Sequence, residues 1–311
     1  MAFFSIVIPL HNKENYIENT IKSVLNQRFT DFELVILNDC STDNSFQLVS
    51  QFDDIRIKLI THQKNKGLSA SRNTGIKNAS SHYIAFLDAD DLWKPNFLEE
   101  IYQLIHKYPE ASLFATNYEE IIDANTVVLP SNGTENLKHS IIIDNYFERS
   151  LKQPLYNQSS FCIKKEVFEK VGFYNEKITY GEDVDFNIRV HLIYKMAFSN
   201  QSLSQYILST ENQITQSNFS SKTITDFDYY EKNYNNPSLK KFLDFQRYTK
   251  AKMYKMEGDF EKYYQLKKGI RLANLNWKQI ILLHLPSFLL NEIKIWKQKK
   301  LAQGKRVTSY N

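Results

Sequence analysis

The chain opens on an unbroken apolar run, FSIVIPL (4–10), and then changes period. In ENYIENTIKSVLNQ the residues Ile17, Ile21, Val24 and Leu25 recur at helical spacing. The alternation repeats: FELVILN (32–38) predicts a second buried strand, and STDNSFQLVSQF a helix capped at Ser41 or Thr42. IRIKLIT (55–61) predicts a third strand, SASRNTGIKNA a short helix and HYIAFLD (82–88) a fourth strand. NFLEEIYQLIHKY continues as a helix whose first turn admits Pro95. Strands alternating with helices predict an α/β fold with a mostly parallel central sheet, Rossmann-like in layout. Ligands of such sheets gather at the carboxyl ends of the strands. The segments PLHN (9–12), NDCSTD (38–43) and DADD (88–91) are therefore expected along one edge.

Past residue 108 the pattern changes. ASLFATNYEEI reads as a strand, 130–158 as polar and irregular, and SSFCIKKEVFEKVG (159–172) as a strand with a short helix. GEDVDFNIRVHLIYK (181–195) begins with acids, as helix N-termini prefer. From about 216 no strand pattern remains. Helices are expected over 238–256 and 259–274, joined at Gly258, with Leu239, Phe242, Phe260, Tyr263 and Tyr264 packing between them. A last helix over 277–300, interrupted by Pro286, carries Ile281, Leu285, Phe288, Leu289, Ile293 and Trp296 on one face. The division that follows is a first domain over 1–215 and a helical extension over 216–311, with no internal repeat.

Composition narrows the class. Hydrophobic residues make up 42% and charged residues 24%, which is a globular balance. The net charge of +4 is too diffuse for nucleic-acid binding. Two cysteines, Cys40 and Cys162, stand in no metal-ligand spacing, so neither a disulfide framework nor a zinc site is indicated, and a reducing compartment fits. The first residues lack a basic n-region and a cleavage site, so they read as a strand and not a signal peptide. The longest late apolar run, 280–290, falls short of the roughly 20 residues a membrane helix needs.

The stretch YIAFLDADDLWKPN brings Asp88, Asp90 and Asp91 together at the end of an apolar strand. Like charges this close repel, so a cation or strong donor should compensate them. A D-x-D pair at a strand end suits Mg²⁺ or Mn²⁺, which takes one or two carboxylates together with substrate phosphates. Asp91 reads as solvated, or as a cap on the helix after it. Asp39 reads as a turn former, or as an acceptor for the N3–H of uracil or thymine.

SIVIPLHNKENYIENTIKSVLNQ, ELVILNDCSTDNS, NKGLSASRNTGI, YIAFLDADD and GEDVDF, in this order, resemble the family 2 glycosyltransferases of GT-A fold, over roughly residues 3 to 210. The resemblance implies inverting, metal-dependent transfer of a hexosyl or N-acetylhexosaminyl group from a nucleoside diphosphate sugar, a UDP-sugar here. Residues 1–95 become the nucleotide-binding half and 96–215 the acceptor-binding half. Carried over, Pro9, Leu10, His11, Asn12 and Asp39 would hold the base, and Arg72 would lie near the nucleotide. Asp88 would contact the ribose or the metal, and Asp90 would ligate Mn²⁺ or Mg²⁺. Asp183 matches the general base. Glu182 and Trp93 are candidates for the acceptor, a glycan or lipid-linked glycan of bacterial surface polysaccharide. Three positions depart from the family pattern. His11 stands for a common Tyr, Cys40 for a usual Gly, which suggests a slightly different turn, and 206–215 lacks the His that many members offer to the metal.

Other readings remain open. A haloacid dehalogenase-like phosphatase also uses D-x-D, but on its first strand. A sugar nucleotidyltransferase would need a Gly-rich phosphate loop, and a non-catalytic carbohydrate-binding or scaffold subunit would leave the acids idle. The run KIWKQKKLAQGKRV (294–307) adds six basic residues and no acid to the last helix. That pattern predicts either peripheral contact with the inner face of the plasma membrane from the cytoplasm or packing on 238–274. The sequence carries no sign of oligomeric state.

Overall fold

In the computed structural model, which describes residues 1–123, 125–134, 137, 139–208, 210, 211 and 218–309, the first strand is buried along its whole length. β1 (Phe4–Leu10), β2 (Phe32–Asn38), β3 (Ile57–Thr61) and β4 (Tyr83–Phe86) lie parallel in the order β3-β2-β1-β4. Their linking helices are α1 (Ile17–Leu25), α2 (Ser45–Ser50) and α3 (Leu68–Asn78). Continuous Ile, Val and Leu is what a strand covered on both faces requires. Alternate side chains of β1 enter two cores: Phe4, Ile6 and Ile8 meet α1, while Val7 meets Ile76 of α3. Gly75 lets α3 approach β1, since a Cβ there would stand 2.3 Å from Val7 Cγ1.

The second half of the sheet is mixed. Its elements are β5 (Leu92–Trp93), α4 (Phe97–Lys107), β6 (Leu113–Asp123), β7 (Thr126–Val128), β8 (Ser140–Ile143) and α5 (Tyr146–Arg149). They are followed by β9 (Phe161–Lys164), α6 (Val167–Val171), α7 (Glu182–His191) and β10 (Met196–Ile207). β9 runs antiparallel between β4 and β6, and β10 runs parallel to β6. The long strand β10 escapes the sequence pattern because it is MAFSNQSLSQYI. Ser199 and Ser204 are buried, and register shifts at Ser199/Ser202 and Ser202/Ser204 break the period of two. The stretch 130–158 is less irregular than expected, because β8 and α5 lie within it.

The helical extension holds α8 (Phe227–Asn233), α9 (Pro237–Glu257), α10 (Phe260–Lys268), α11 (Trp277–His284) and α12 (Ser287–Ala302). Phe227, Tyr230, Leu239, Phe242 and Leu243 join the core under β4, β6 and β9. The later helices build a core of their own around Tyr248, Tyr254 and Leu283. The boundary expected between residues 215 and 216 lies outside the described residues. The interruption expected at Pro286 in the last helix over 277–300 divides it into two helices, because proline has no N–H to continue the ladder. Its inner contacts are Leu283 and Leu290, not the expected stripe: Ile281, Phe288, Leu289 and Trp296 are exposed. No helix among the described residues is long and apolar enough to cross a membrane.

Candidate active site

The chain leaves β1 outward to β2 and β3, then returns on the other side of β1 to β4. The carboxyl ends of these strands therefore open a crevice. Pro9 and Leu10 are still strand residues, paired with Leu37 and Asn38, so the turn begins only at His11. Asp39 N–H donates to the Leu10 carbonyl at 2.8 Å. Asn12 takes a positive φ of 52°. Its N–H donates to Ser41 Oγ at 3.2 Å, and its Oδ1 accepts from Thr42 N–H at 2.8 Å. Ser41 and Thr42 thus join the two loops instead of capping α2. Cys40 has φ 59°, so it takes the left-handed conformation that a glycine adopts freely. The His11 ring is held between Asp39 O (2.9 Å from Nδ1) and Asn65 Nδ2 (3.1 Å from Nε2), which the Nδ1–H tautomer satisfies.

The Asp39 carboxylate is buried and meets three donors: His62 Nδ1 at 2.7 Å, Lys66 N–H at 2.9 Å and Gly67 N–H at 2.8 Å. A carboxylate has about four lone-pair directions. One direction therefore remains open among the described residues.

The three acids of the D-x-D stretch have three fates. Arg72 Nη2 donates to Asp88 Oδ1 at 2.8 Å. Lys13 Nζ at 2.7 Å and Thr210 Oγ1 at 2.5 Å both meet Asp90 Oδ2. Asp91 is neither solvated nor a helix cap. It is buried, accepts from Ser159 Oγ at 2.5 Å and Ile207 N–H at 3.0 Å, and so ties the end of β4 to β10. Burial, with Asp90 and Asp88 adding to it, pushes the Asp91 carboxyl well above its ordinary pKa. The repulsion expected from the sequence is relieved by two built-in cations, Arg72 on Asp88 and Lys13 on Asp90.

Behind the strand ends lies Arg72, whose Nη1 donates to Glu182 Oε1 at 2.6 Å. Burial works against its charge, yet Asp88 and Glu182 outweigh it and hold the guanidinium above its ordinary pKa. Burial raises the Glu182 carboxyl in spite of Arg72. Arg72 is therefore a bolt between the D-x-D stretch and the first turn of α7. Asp183, next to Glu182 in that turn, accepts no hydrogen bond or ion pair from any described residue, and it is half-buried. The place where a Cβ on Gly181 would stand is 3.9 Å from Lys250 Nζ and 4.0 Å from Asp183 Oδ1. An ammonium from α9 and the Asp183 carboxylate thus flank one small space. Burial lowers the Lys250 pKa, against the pull of Asp183 and Glu182, and the ammonium rests 4.8 Å from the Tyr180 ring centroid. Beneath α7 the floor is neutral. Tyr156 Oη donates to Asn187 Oδ1 at 2.9 Å and meets His191 Nε2 at 2.9 Å, while Tyr146 stacks on His191 at 3.7 Å.

Trp93 does not face this space. It is buried, donates from Nε1 to Ser159 O at 2.5 Å and stacks on Phe97 at 4.1 Å, which makes it a core residue and not an acceptor platform. Lys13, Thr210 and Lys250 are the residues sequence reasoning missed. Lys13 stands in the segment just past the turn and was within reach of a charge count. Lys250 belongs to a helix whose place over the sheet edge no local pattern reveals.

The donor set fits a hard divalent cation. Asp88 Oδ2 and Asp90 Oδ1 have no partner among the described residues, so each acid keeps one oxygen to offer. No cluster of three or more His, Cys, Asp or Glu suited to a metal occurs among the described residues. Diphosphate oxygens and water would have to complete the shell. In the segment 206–215, which lacks a His, residues 209 and 212–215 lie outside the described residues.

Comparison with known proteins agrees with this layout. The family model for Glycosyl transferase family 2 matches residues 5–172. A protein named glycosyltransferase GlyA of Streptococcus pneumoniae is 30% identical over 221 residues, 65% of this chain and 30% of its own length. The Escherichia coli protein WfgD is 38% identical over 141 residues, 45% of this chain and 55% of its own. WfgD is named UDP-Glc:alpha-D-GlcNAc-diphosphoundecaprenol beta-1,3-glucosyltransferase. The matched region therefore spans about half or less of either relative. Among solved structures, S. aureus TarS 1–349 in complex with UDP-GlcNAc superposes with a TM-score of 0.61 at 17% identity. That match covers 88% of this chain and 74% of the TarS chain, and it establishes the shared fold.

Proposed function

Since the chain belongs to glycosyl transferase family 2, we propose that it transfers a hexosyl or N-acetylhexosaminyl group from a UDP-sugar to a hydroxyl of a glycan or lipid-linked glycan, with inversion. The observation that carries this reading is the Asp183 carboxylate, unpartnered among the described residues and held across the Arg72–Glu182 pair from Asp88 and Asp90. His11 and the free direction on Asp39 receive the base, whose N3–H a carboxylate can accept. Asp88 and Asp90 each present one oxygen to Mn²⁺ or Mg²⁺. When bound, the cation neutralises charge on the departing diphosphate. Asp183 takes the proton of the acceptor hydroxyl as that oxygen forms its bond to the anomeric carbon. The bond to the diphosphate breaks on the opposite face, and UDP leaves. Lys250, beside Asp183, donates to an oxygen of the acceptor.

A screen of sugar nucleotides for UDP release, with and without Mn²⁺, tests the reading. Metal-dependent release from at least one UDP-sugar is expected. Failure to bind UDP under any metal condition would favour a scaffold, and phosphate release from p-nitrophenyl phosphate would favour a phosphatase. Against the latter, the acids follow the fourth strand, not the first.

We also propose that the enzyme works in the cytoplasm on the inner face of the plasma membrane, and that α11 and α12 rest on anionic lipid. Leu290 is the fully packed residue of α12, while Trp277, Phe288 and Trp296 are 67%, 66% and 49% exposed. Lys278, Lys294, Lys299 and Lys300 lie in the same two helices. Each basic residue near such a surface contributes about 1 kcal/mol at low salt. A lipid-linked acceptor like the one in the name of WfgD fits this placement. Cosedimentation with phosphatidylglycerol vesicles should fall when Trp277, Phe288 and Trp296 are all changed to Ser. Equal partitioning of the two proteins at low salt would remove the membrane contact from the account.

A further inference from the structure

The carboxylate assigned to a metal already holds a cation. Lys13 Nζ lies 2.7 Å from Asp90 Oδ2, 2.7 Å from the Glu211 carbonyl and 3.3 Å from Thr210 Oγ1. An ammonium has three N–H donors, and three acceptors surround this one. The side chain is only 11% exposed. Its backbone is anchored as well: Lys13 N–H donates to Ser45 Oγ at 2.8 Å, and Glu14 N–H donates to Asp43 Oδ2 at 3.0 Å. Asn15 Nδ2 donates to Glu211 Oε2 at 3.1 Å, so loop and strand end meet twice. A cation this well enclosed, on a metal-binding acid, is a built contact.

We propose that Lys13 is a resident counter-cation that couples metal binding to nucleotide binding. The inference rests on the glycosyltransferase reading and concerns the order in which its site fills. With the site empty, Lys13 neutralises Asp90. A divalent ion arriving alone meets an ammonium on the same carboxylate, and the two cations repel. A diphosphate changes the balance, because its oxygens offer the ammonium equivalent acceptors. Lysine is a point charge on a flexible stem, so rotation of the side chain is enough and the anchored backbone stays in place. Asp90 is then released to the metal. The linkage is reciprocal: whatever factor nucleotide adds to metal affinity, metal adds to nucleotide affinity.

Calorimetric titration with Mn²⁺ alone, UDP alone, and each in the presence of the other tests this. In the wild type, UDP and Mn²⁺ should each tighten the other by about tenfold or more. In Lys13→Met and Lys13→Gln, Mn²⁺ alone should bind about tenfold tighter, UDP alone about tenfold weaker, and the coupling factor should shrink toward one. Gln keeps a donor for Thr210 and Glu211, so it guards against a folding defect in the Met variant. Lys13→Arg, which keeps the charge, should retain most of the coupling. Unchanged Mn²⁺ affinity in a neutral variant that still binds UDP with Mn²⁺ would overturn the role of Lys13 and leave the enzymatic reading standing. A wild type that binds no UDP at all would overturn both.

Discussion

The two edges of this crevice, the donor edge and the acceptor edge of the proposed reaction, treat their acids in opposite ways. At the donor edge Asp39, Asp88, Asp90 and Asp91 are each taken up by protein donors: His62 and two backbone N–H groups, Arg72, Lys13 with Thr210, and Ser159 with Ile207. At the acceptor edge Asp183 has no such partner among the described residues, and the inner side of its helix, at Asn187 and His191, rests on the neutral rings of Tyr146 and Tyr156. The difference follows from the work each edge would do. Acids that position a nucleotide and a cation gain from being fixed beforehand, because no ordering is left for the moment of binding. An acid that must accept a proton gains from being left unbonded, since donors would hold it in its ionised form.

The contrast can be broken most sharply at the donor edge. Asp90→Asn should lower UDP-sugar turnover on the order of a thousandfold and abolish the Mn²⁺ dependence of UDP affinity, as calorimetry and UDP release will show. Arg72→Met should act on stability. It leaves Glu182 buried without its cation, and denaturant unfolding should show a loss of about 3–5 kcal/mol.

The acceptor floor should instead respond to acid. Burial holds the His191 imidazole down to about 3, against 6.5 for an ordinary histidine. The unfolded chain therefore binds a proton that the folded chain refuses. Stability contributed by the neutral ring is complete above about pH 6.5 and is lost as pH falls toward about 3, with a slope of up to about 1.4 kcal/mol per pH unit. Unfolding free energies measured at a series of pH values should show this slope in the wild type and lose most of it in His191→Gln. The smallest effect belongs to the turn at Cys40, where a side chain sits at φ 59°. Cys40→Gly should relieve left-handed strain of roughly 1–2 kcal/mol and lose part of that gain to the entropy of glycine, leaving a thermal shift of a degree or two.

The four alternating strands of a parallel sheet, the crowding of three loops on one edge and the acids that meet there were legible because period and strand-end rules are local. What stayed hidden depends on distant chain. β10 hides behind Ser199 and Ser204, buried serines that stand where apolar residues would mark the alternation. Asp91 looks like a surface acid until Ser159 and Ile207 arrive from elsewhere in the sequence. Trp93 looks like a sugar platform until Phe97 and Ser159 enclose it. Lys13 was visible in the motif, but its reach to Asp90 requires the ends of β1, β4 and β10 to be placed together.

The most direct test of the central claim is a paired measurement on Asp183→Asn: UDP affinity in Mn²⁺, and the rate of UDP release from the sugar nucleotide that the screen identifies. An unbonded base separate from the donor edge predicts UDP affinity within about twofold of wild type and turnover lower by about 10²–10⁴-fold. Turnover close to wild type, or loss of UDP affinity together with turnover, would contradict the division of labour between the two edges.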